Sequence, residues 1–424
     1  MIKTPKYTRD LLPAEFTTDT SAHIHKFQFI ESTARELFHR FGFKEIRTPI
    51  FEHTELFARG VGTETDIVTK EMYSWTDING DRLTLRPENT ASVIRAFIQH
   101  KMWTQADTVK LFYSGPQFRR ERGQKGRFRQ FYQIGAEVIS KTDNPAIDAE
   151  CIEILVHLIS ALGIPNTELR LNSVGDAETR VRFIDMIKHE LKDKISTMCG
   201  DCQRRYETNP LRILDCKIDT AVVAQLPSTI NLLSDESRRH FEALCRMLDE
   251  RGISYVVDSQ MVRGLDYYTK TVFEIVSGSL GSQSALLGGG RYDGLSETLG
   301  GPPAKGFGFA IGVDRFAMSL PEDVKDTNTP QVFVAPLGEA AFHKAVTIVS
   351  ELRRAGVATL MDFEHRSLKS SMKLADKVGA QLVLILGETE LQTGQWALRS
   401  MKDSSQTTIS AENWLSGIQK ALNC

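Results

Sequence analysis

The spacing of apolar residues predicts that the chain begins with a helix that leads into a sheet. Between Ser21 and Arg40 apolar side chains recur at helical intervals, and Gly42 is placed to end the helix. Residues 43–51 alternate as a strand does, and Pro49 predicts an edge or interface position because proline cannot donate a ladder hydrogen bond. Further strands are predicted at residues 82–85, 110–114, 129–140, 272–277 and 306–311. These runs mostly lack intervening helices, which predicts a mainly antiparallel sheet.

The pattern changes twice further along the chain. Residues from about 175 to 252 are charged and helix-rich with almost no strand signal, which predicts a helical insertion. The segment PEDVKDTNTP, residues 321–330, is typical of an exposed linker. After it, strands at 331–335, 358–361 and 382–387 alternate with helices at 340–355 and 368–378, which indicates a small α/β domain. The predicted fold class is α+β, with domains at residues 1–325 and 326–424.

Composition narrows the class of protein. The 424 residues carry a net charge of −2, which opposes non-specific coating of nucleic acid while leaving local basic clusters free to bind it. No run approaches the roughly 18 apolar residues that a membrane helix needs, so no membrane partner and a cytoplasmic location are predicted.

The six cysteines are too sparse for a disulfide framework, so reduced thiols are expected. Cys199 and Cys202 form a C-x2-C pair and Cys216 follows fourteen residues later, a spacing that raises the possibility of zinc. Three thiols lack a matched fourth ligand, which a histidine such as His189 would have to supply. The site residues are therefore predicted to include no metal ligand, with the cysteines left as an open alternative.

One segment concentrates positive charge among aromatic rings. Neither a P-loop nor a dinucleotide fingerprint is present, so a bound triphosphate would have to be met by side chains. Residues 115–137 offer these, because guanidinium groups bind phosphate oxygens and aromatic faces stack on bases. A solvated basic hairpin is the alternative. The basic residues are Arg119, Arg120, Arg122, Lys125, Arg127 and Arg129, among Phe118, Phe128, Phe131 and Tyr132.

Four other segments carry polar or glycine-rich patterns. VRGLDYY, residues 262–268, indicates a polar pocket because buried tyrosine hydroxyls need partners, although paired tyrosines also occur as plain packing. In GGGRYD (288–293) and KGFGFAIGVDR (305–315), the glycines indicate a close approach to the backbone, or equally a bulge or bend. TLRPENT (84–90) places Glu88 near a helix N-terminus, where it is also explained as a first-turn acidic residue.

Taken in order, these segments resemble the signature motifs of the class II aminoacyl-tRNA synthetases. FKEIRTPIFE is similar to motif 1, a dimer-interface strand; FRRER with the following strand is similar to motif 2, and GFGFAIGVDR to motif 3. VRGLDYY and GGGRYDG resemble boxes of the histidine-specific enzymes of that class. The resemblance covers nearly the whole chain, and it implies an antiparallel catalytic core with a helical insertion and a C-terminal anticodon-binding domain.

The resemblance also implies roles for single residues. Arg119 would bridge the histidine carboxylate and the α-phosphate of ATP, and Arg263 would approach that phosphate from the opposite side, where most other class II enzymes place a metal ion. The remaining ATP contacts would be Glu121 on the adenine edge, Phe131 stacked on the ring, Arg127 on a phosphate and Arg315 on the γ-phosphate.

For the amino acid, the implied contacts fall on its two ends. Glu88, Thr90 and Gln133 would take the α-amino group, whereas Glu137 and Tyr268 would hydrogen-bond the imidazole between Tyr267 and Tyr292. Asn89 stands where the family more often has glycine, so the pocket backbone is expected to shift slightly. Gln124 and Arg129 would contact the acceptor end of the tRNA.

The implied activity is the ATP-dependent ligation of L-histidine to tRNA(His) through a histidyl-adenylate, with Mg²⁺ accompanying ATP, in a homodimer. No editing domain is expected, because a site that hydrogen-bonds a polar side chain rejects apolar analogues by about 10,000-fold or more. The alternative from another class is an inactive synthetase-like regulatory subunit of an ATP phosphoribosyltransferase. Such proteins usually lack the anticodon domain and the motif arginines, all of which this sequence has. Another amino acid's synthetase is opposed by the two histidine-specific boxes.

Overall fold

The protein is described here by a computed structural model that covers residues 2–63, 65–124, 126–216, 218–278 and 285–423. Lys125 of the basic segment and Cys424 lie outside these described residues. The chain divides into two compact units, Met1–Val324 and Lys325–Cys424.

A large sheet organises the first unit. Among the described residues, eight strands pair in the order β1-β5-β6-β11-β10-β9-β7-β8. All pairings between β5 and β7 along this order are antiparallel, and the two outermost pairs, β1 with β5 and β7 with β8, are parallel. The prediction of a mainly antiparallel sheet is confirmed. The strands are β1 (Lys44–Glu45), β2 (Phe51–His53), β3 (Tyr73–Thr76), β4 (Arg82–Leu85), β5 (Thr108–Phe118), β6 (Gln130–Ser140), β7 (Thr167–Ser173), β8 (Val256–Val257), β9 (Thr269–Ser277), β10 (Ala285–Arg291) and β11 (Lys305–Gly312).

The first unit also has a three-stranded sheet in the order β2-β4-β3. The strand predicted at residues 43–51 is divided between the two sheets. β1 joins the edge of the large sheet and β2 pairs with β4, so the single predicted strand is wrong. The connection between them, residues 46–50, contains a bend at Ile50. The buried Arg86 guanidinium holds this connection, since its Nη1 donates to the carbonyl oxygen of Thr48 at 3.0 Å.

Helices pack on the large sheet and form the insertion. α1 begins at Ile24 and ends at Arg40, and Gly42 takes the positive φ of 79° that terminates it as predicted. Its apolar face lies in the main core with residues of α4, α8 and the sheet. The helices of this unit are α1 (Ile24–Arg40), α2 (Thr54–Val61), α3 (Thr90–Gln99), α4 (Pro145–Ala161), α5 (Ala177–Leu191), α6 (Gly200–Thr208), α7 (Thr220–Val223), α8 (Asp235–Glu250), α9 (Leu295–Thr298) and α10 (Val313–Ser319).

The described residues of the insertion predicted at about 175–252 form helices joined by turns and loops, with no strand, from α5 to the end of α8. Part of it has a core of its own, in which α5 packs on the turns around α6 and α7. This separate core consists of Phe183, Ile187, Leu191, Met198, Cys202, Ile213, Cys216, Val223 and Leu226.

The second unit confirms the predicted alternation of strands and helices and extends it. β12, β13 and β14 are parallel, and a hairpin of β15 and β16 that the sequence analysis did not predict adds two antiparallel strands, giving the order β13-β12-β14-β15-β16. The elements are β12 (Val332–Pro336), α11 (Glu339–Arg354), β13 (Thr359–Met361), α12 (Leu368–Lys377), β14 (Leu382–Leu386), α13 (Glu388–Thr393), β15 (Gln395–Ser400), β16 (Gln406–Ser410) and α14 (Trp414–Leu422). No helix among the described residues of either unit combines the length and apolar character needed to span a bilayer.

Candidate active site

A cavity of about 270 Å³ lies on the large sheet of the first unit. Residues of the middle strands of the sheet line it, together with residues from the first turns of α3 and α10. Its polar lining residues are Glu88, Thr90, Tyr113, Arg119, Glu121, Arg127, Gln133, Arg263, Tyr267, Tyr268, Glu274, Tyr292, Asp314 and Arg315, with Phe128, Phe131 and Phe309 among the apolar ones.

Glu137 on β6 is a fully buried carboxyl group beside this cavity. The Tyr292 hydroxyl donates to Glu137 Oε2 at 2.6 Å, and Thr90 Oγ1 donates to Oε1 at 2.8 Å. Burial raises the pKa of Glu137 to about 8, although these hydrogen bonds oppose the shift. The group is therefore mostly neutral at pH 7, and it can exchange a proton with a basic ligand near neutral pH.

Glycines on the neighbouring strands make room for the site's side chains. A methyl group at Gly308 would overlap the Glu137 carboxylate, and one at Gly306 would overlap the Tyr292 ring. At Gly288 it would stand 2.6 Å from a guanidinium nitrogen of Arg263. The sequence predicted a close approach to these backbones, and the groups that approach are side chains of this chain.

We expect Gly308→Ala to lower the free energy of unfolding by about 1–3 kcal/mol, because overpacking forces buried neighbours to move. Urea unfolding followed by tryptophan fluorescence measures the change. Gly278→Ala is the matched control, since an added methyl group there meets nothing within 4 Å in the described part of the chain. Equal unfolding free energies for the two variants would contradict the crowding at Gly308.

Glu88 is a second buried carboxyl group, at the start of α3. Its oxygens accept hydrogen bonds from the backbone amides of Thr90 at 2.8 Å and Ala91 at 3.0 Å. Burial raises the pKa of Glu88, and these amide bonds oppose that shift. Glu88 precedes the N-cap residue Asn89, so the expectation of a first-turn acidic residue is wrong. Its carboxylate nevertheless accepts from first-turn amides of α3 and also lines the cavity.

Aromatic hydroxyls surround Glu137. The ring centres of Tyr267 and Tyr268 lie 4.8 Å apart, and those of Tyr267 and Tyr292 lie 5.7 Å apart. Burial raises the pKa of Tyr267, Tyr268 and Tyr292, so these phenols stay protonated and serve as hydrogen-bond donors at neutral pH. This end of the cavity suits a small ligand that carries both hydrogen-bond donors and acceptors.

Arginines line the other end of the cavity. Arg119 is oriented by its Nε, which donates to the carbonyl oxygen of Pro87 at 2.8 Å, and its guanidinium lies 5.3 Å from the Phe131 ring centre. Glu121 receives a hydrogen bond from Arg127 Nη1 at 2.6 Å and lies 3.6 Å from Arg119 Nη1. Glu121 thus holds both arginines in place without a ligand.

Two further arginines complete the cationic lining. Arg263 is ion-paired with Glu274 and lies 5.9 Å from the Tyr268 ring centre, and its Nε is buried with no hydrogen-bond partner in the described residues. Arg315 donates to the carbonyl oxygen of Ala285, and burial together with nearby Arg127 lowers its pKa. An arginine whose pKa is lowered by burial and by a neighbouring cation is stabilised by an anionic ligand.

Gln133 points to a ligand as well. It lines the cavity, and its Oε1 atom is buried with no hydrogen-bond partner among the residues described. An unpartnered buried acceptor carries a free-energy cost that a ligand N–H would remove. The cavity therefore combines hydrogen-bond donors that suit a phosphate with groups that can bind an amine and a polar ring.

Most residues predicted for the site line this one cavity, Glu137 is buried beside it, and three others lie elsewhere. Asn89 is buried and accepts a hydrogen bond from Thr48 Oγ1 at 2.7 Å, so it supports the backbone between β1 and β2. Gln124 forms an isolated bridge with Arg127, and the Arg129 guanidinium lies 5.3 Å from the Tyr7 ring centre. The last two lie between Arg119 and the start of β6, outside the cavity lining.

The sequence analysis assigned no role to Tyr113, Glu274 or Asp314, all of which line the cavity. Tyr113 sits in the middle of β5, where it looks like an ordinary strand residue. Asp314 accepts a hydrogen bond from the backbone amide of Tyr132 at 2.9 Å and one from Arg9 Nη2 at 2.8 Å, and thereby ties α10 to β6. The sequence signal that could have revealed Asp314 is its position as a charged residue in the first turn of an apolar helix.

Comparisons with family models, with curated proteins and with solved structures all lead to the same family. The family model described as histidyl-tRNA synthetase matches residues 7–316, and that of an anticodon binding domain matches residues 331–421. A histidine–tRNA ligase of Solibacter usitatus is 48% identical across 100% of both chains, and one of Koribacter versatilis is 48% identical across 96% of this chain and 94% of its own. A crystal structure of apo S. aureus histidyl-tRNA synthetase has a TM-score of 0.82 at 34% identity, covering 99% of this chain and 100% of that chain.

Proposed function

Because the chain belongs to the histidyl-tRNA synthetase family, we propose that the cavity on its large sheet is where histidine meets ATP. The chain ligates L-histidine to tRNA(His) through a histidyl-adenylate and releases AMP and diphosphate. The observation that carries the proposed location is that four arginines and a buried carboxyl–phenol cluster line one cavity. The arginines are Arg119, Arg127, Arg263 and Arg315.

In the first step the histidine carboxylate attacks the α-phosphate in line, and the bond to diphosphate breaks. Two anions must approach each other, so preorganised cations lower the barrier. We assign this role to Arg119 and Arg263, the catalytic residues of the proposal. Their supports, Pro87 for Arg119 and Glu274 for Arg263, fix both guanidinium groups before the substrates arrive.

The histidine substrate occupies the carboxyl–phenol end of the cavity. Glu137 and Tyr268 hydrogen-bond its imidazole, with Tyr267 and Tyr292 beside the ring, and Glu88, Thr90 and Gln133 take its α-amino group. The unpartnered Oε1 of Gln133 supports this assignment. Asn89 does not line the cavity and would act indirectly, by holding the neighbouring backbone through its hydrogen bond with Thr48.

ATP occupies the arginine end. Phe131 stacks on the adenine, Glu121 accepts from its edge, and Arg127 and Arg315 bind the outer phosphates. The cavity also offers the Glu274 carboxylate, and oxygen ligands of this kind together with substrate phosphates are what Mg²⁺ prefers. Bound there, Mg²⁺ would neutralise charge on the triphosphate.

In the second step a ribose hydroxyl of tRNA(His) attacks the adenylate, which is already a reactive electrophile. We assign contacts with the acceptor end to Gln124 and Arg129, which lie outside the cavity beside Arg127. Residues 1–325 would form the catalytic domain, and residues 326–424 would bind the anticodon, in line with the match at residues 331–421.

The active assembly would be a homodimer in the cytoplasm. The three-stranded sheet supports dimerisation because it leaves apolar side chains in water: Phe51 is 51% exposed and Trp75 is 42% exposed, with ring centres 6.0 Å apart. A contiguous apolar patch of this kind is typical of an interface.

Histidine-dependent exchange between ATP and labelled diphosphate tests the proposal. We expect exchange with histidine alone among the amino acids, followed by charging of tRNA(His) by the same preparation. Exchange that another amino acid supports equally well would contradict the assignment of the Glu137 pocket. A folded chain that supports no exchange at all would favour the regulatory-subunit alternative, which the retained arginines oppose.

A further inference from the structure

The helical insertion brings four metal-ligating side chains together, away from the cavity. Cys199, Cys202, Cys216 and Asp219 each offer one ligand atom, and these atoms all lie within 4.8 Å of one another. We propose that this group, the cysteine cluster, binds one Zn²⁺ ion that holds the insertion together.

Two of the distances between the ligand atoms match tetrahedral coordination. Zinc–sulfur bonds of about 2.3 Å at tetrahedral angles place two sulfur atoms about 3.8 Å apart, and a sulfur and an oxygen about 3.5 Å apart. Cys199 Sγ and Cys216 Sγ lie 3.8 Å apart, and Cys216 Sγ lies 3.4 Å from Asp219 Oδ2. The first distance is well above the roughly 2.05 Å of a disulfide bond.

The backbone around the cluster is arranged as it is around bound thiolates. The amide groups of Ile218 and Asp219 point at Cys216 Sγ, at 3.4 and 3.2 Å. The amide of Cys199 donates to Asp219 Oδ2 at 3.0 Å, which orients that carboxylate. Outer hydrogen bonds of this kind fix the direction of metal ligands.

The ligand set selects zinc among common divalent ions. Thiolates are soft ligands that Mg²⁺ and Ca²⁺ avoid, and three thiolates with one carboxylate give four ligands for a tetrahedral ion. The sequence had offered His189 as a fourth ligand. That imidazole is exposed and lies 3.7 Å from Glu190, and the fourth ligand is Asp219.

The position of the cluster explains what a metal would do. Cys199 precedes α6, Cys202 lies in its first turn, and Cys216 and Asp219 precede α7. These short segments share a small apolar core, and small cores commonly need a metal or another cross-link.

The segment between these ligands also contacts the residues around Arg263. Asn209 Nδ2 donates to Asp266 Oδ1 at 2.9 Å, and Arg212 Nη1 donates to the carbonyl oxygen of Gly264 at 3.0 Å. The metal would thus stabilise the insertion where it meets one wall of the cavity.

The full chain, purified under reducing conditions without chelators, tests the proposal by elemental analysis. We expect about one zinc per chain, and replacement by Co²⁺ should give thiolate-to-metal charge-transfer absorption. Cys199→Ser and Cys216→Ser should lose most of the bound zinc, whereas Cys245→Ser, outside the cluster, should keep it. Asp219→Cys should also keep zinc and strengthen the charge-transfer band, because it adds a fourth thiolate.

Alkylation followed by mass spectrometry separates the remaining outcomes in the wild-type chain, so the test does not depend on whether a variant folds. Zinc should protect the three thiols, and a chelator should expose them. A disulfide between any two of them, iron in place of zinc, or three freely alkylated thiols with no bound metal would each overturn the proposal.

Discussion

Replacing Arg263 by glutamine should slow histidine-dependent ATP–diphosphate exchange by about 100- to 1,000-fold, because one preorganised donor to the transition state is lost. The loss should fall on kcat and leave the KM for histidine nearly unchanged, since the imidazole pocket is formed by other groups. Arg263→Lys should recover only part of the rate. Lysine keeps the charge, but it lacks the rigid fork that binds two phosphate oxygens at once.

A matched control separates this effect from surface charge. Arg170→Lys changes an arginine on β7 of the same sheet, 42% exposed and paired with Glu168 at 2.7 Å, and it should leave exchange unchanged. Circular dichroism should show the same helix content in all three variants. A rate for Arg263→Gln within tenfold of the wild type would remove Arg263 from the catalytic residues.

Part of the candidate site could be predicted from the sequence because some of its residues lie on or beside regular elements. The strands at 82–85 and 129–140 were predicted to within a residue, and with them the positions of Glu88, Gln133 and Glu137. β10 was not predicted as a strand, because its GGG run lacks the β-branched and aromatic residues that mark one. The structure shows why glycine stands there, since the Arg263 guanidinium occupies the space next to Gly288.

Other features depend on long-range contacts that no local pattern reveals. The connection between β1 and β2 is held by Arg86, thirty-eight residues from Thr48. Tyr113 faces Glu137 only because β5 and β6 pair in a register that puts Leu111 opposite Glu137. Asp219 looks like a helix-capping residue in the sequence, and its proximity to three cysteines appears only after α6 and α7 have folded together. Local periodicity predicts helices and strands, whereas the partners of buried polar groups depend on how distant segments pack.

Glu137→Gln should change how histidine use depends on pH. The free enzyme holds a proton on Glu137 up to a pKa of about 8, and a free histidine side chain holds one up to about 6.5. We expect Glu137 and the imidazole of bound histidine to share one proton. Between pH values of about 6.5 and 8, binding then neither takes up nor releases a proton. Above about 8 the complex must take up a proton, and below about 6.5 it must release one, so kcat/KM for histidine falls on both sides.

In Glu137→Gln the amide does not titrate, so the fall above pH 8 should disappear while the fall at low pH remains. The plateau should also drop by about 10- to 100-fold, because a hydrogen bond to a charged group contributes about 1.5–3 kcal/mol. Exchange rates at limiting histidine, across a pH range that brackets both values, give the two profiles. The profile at limiting ATP and saturating histidine is the control, and it should lack the high-pH limb in both proteins. An unchanged high-pH limb in the variant would assign that titration to another group and leave Glu137 as packing beside Tyr292.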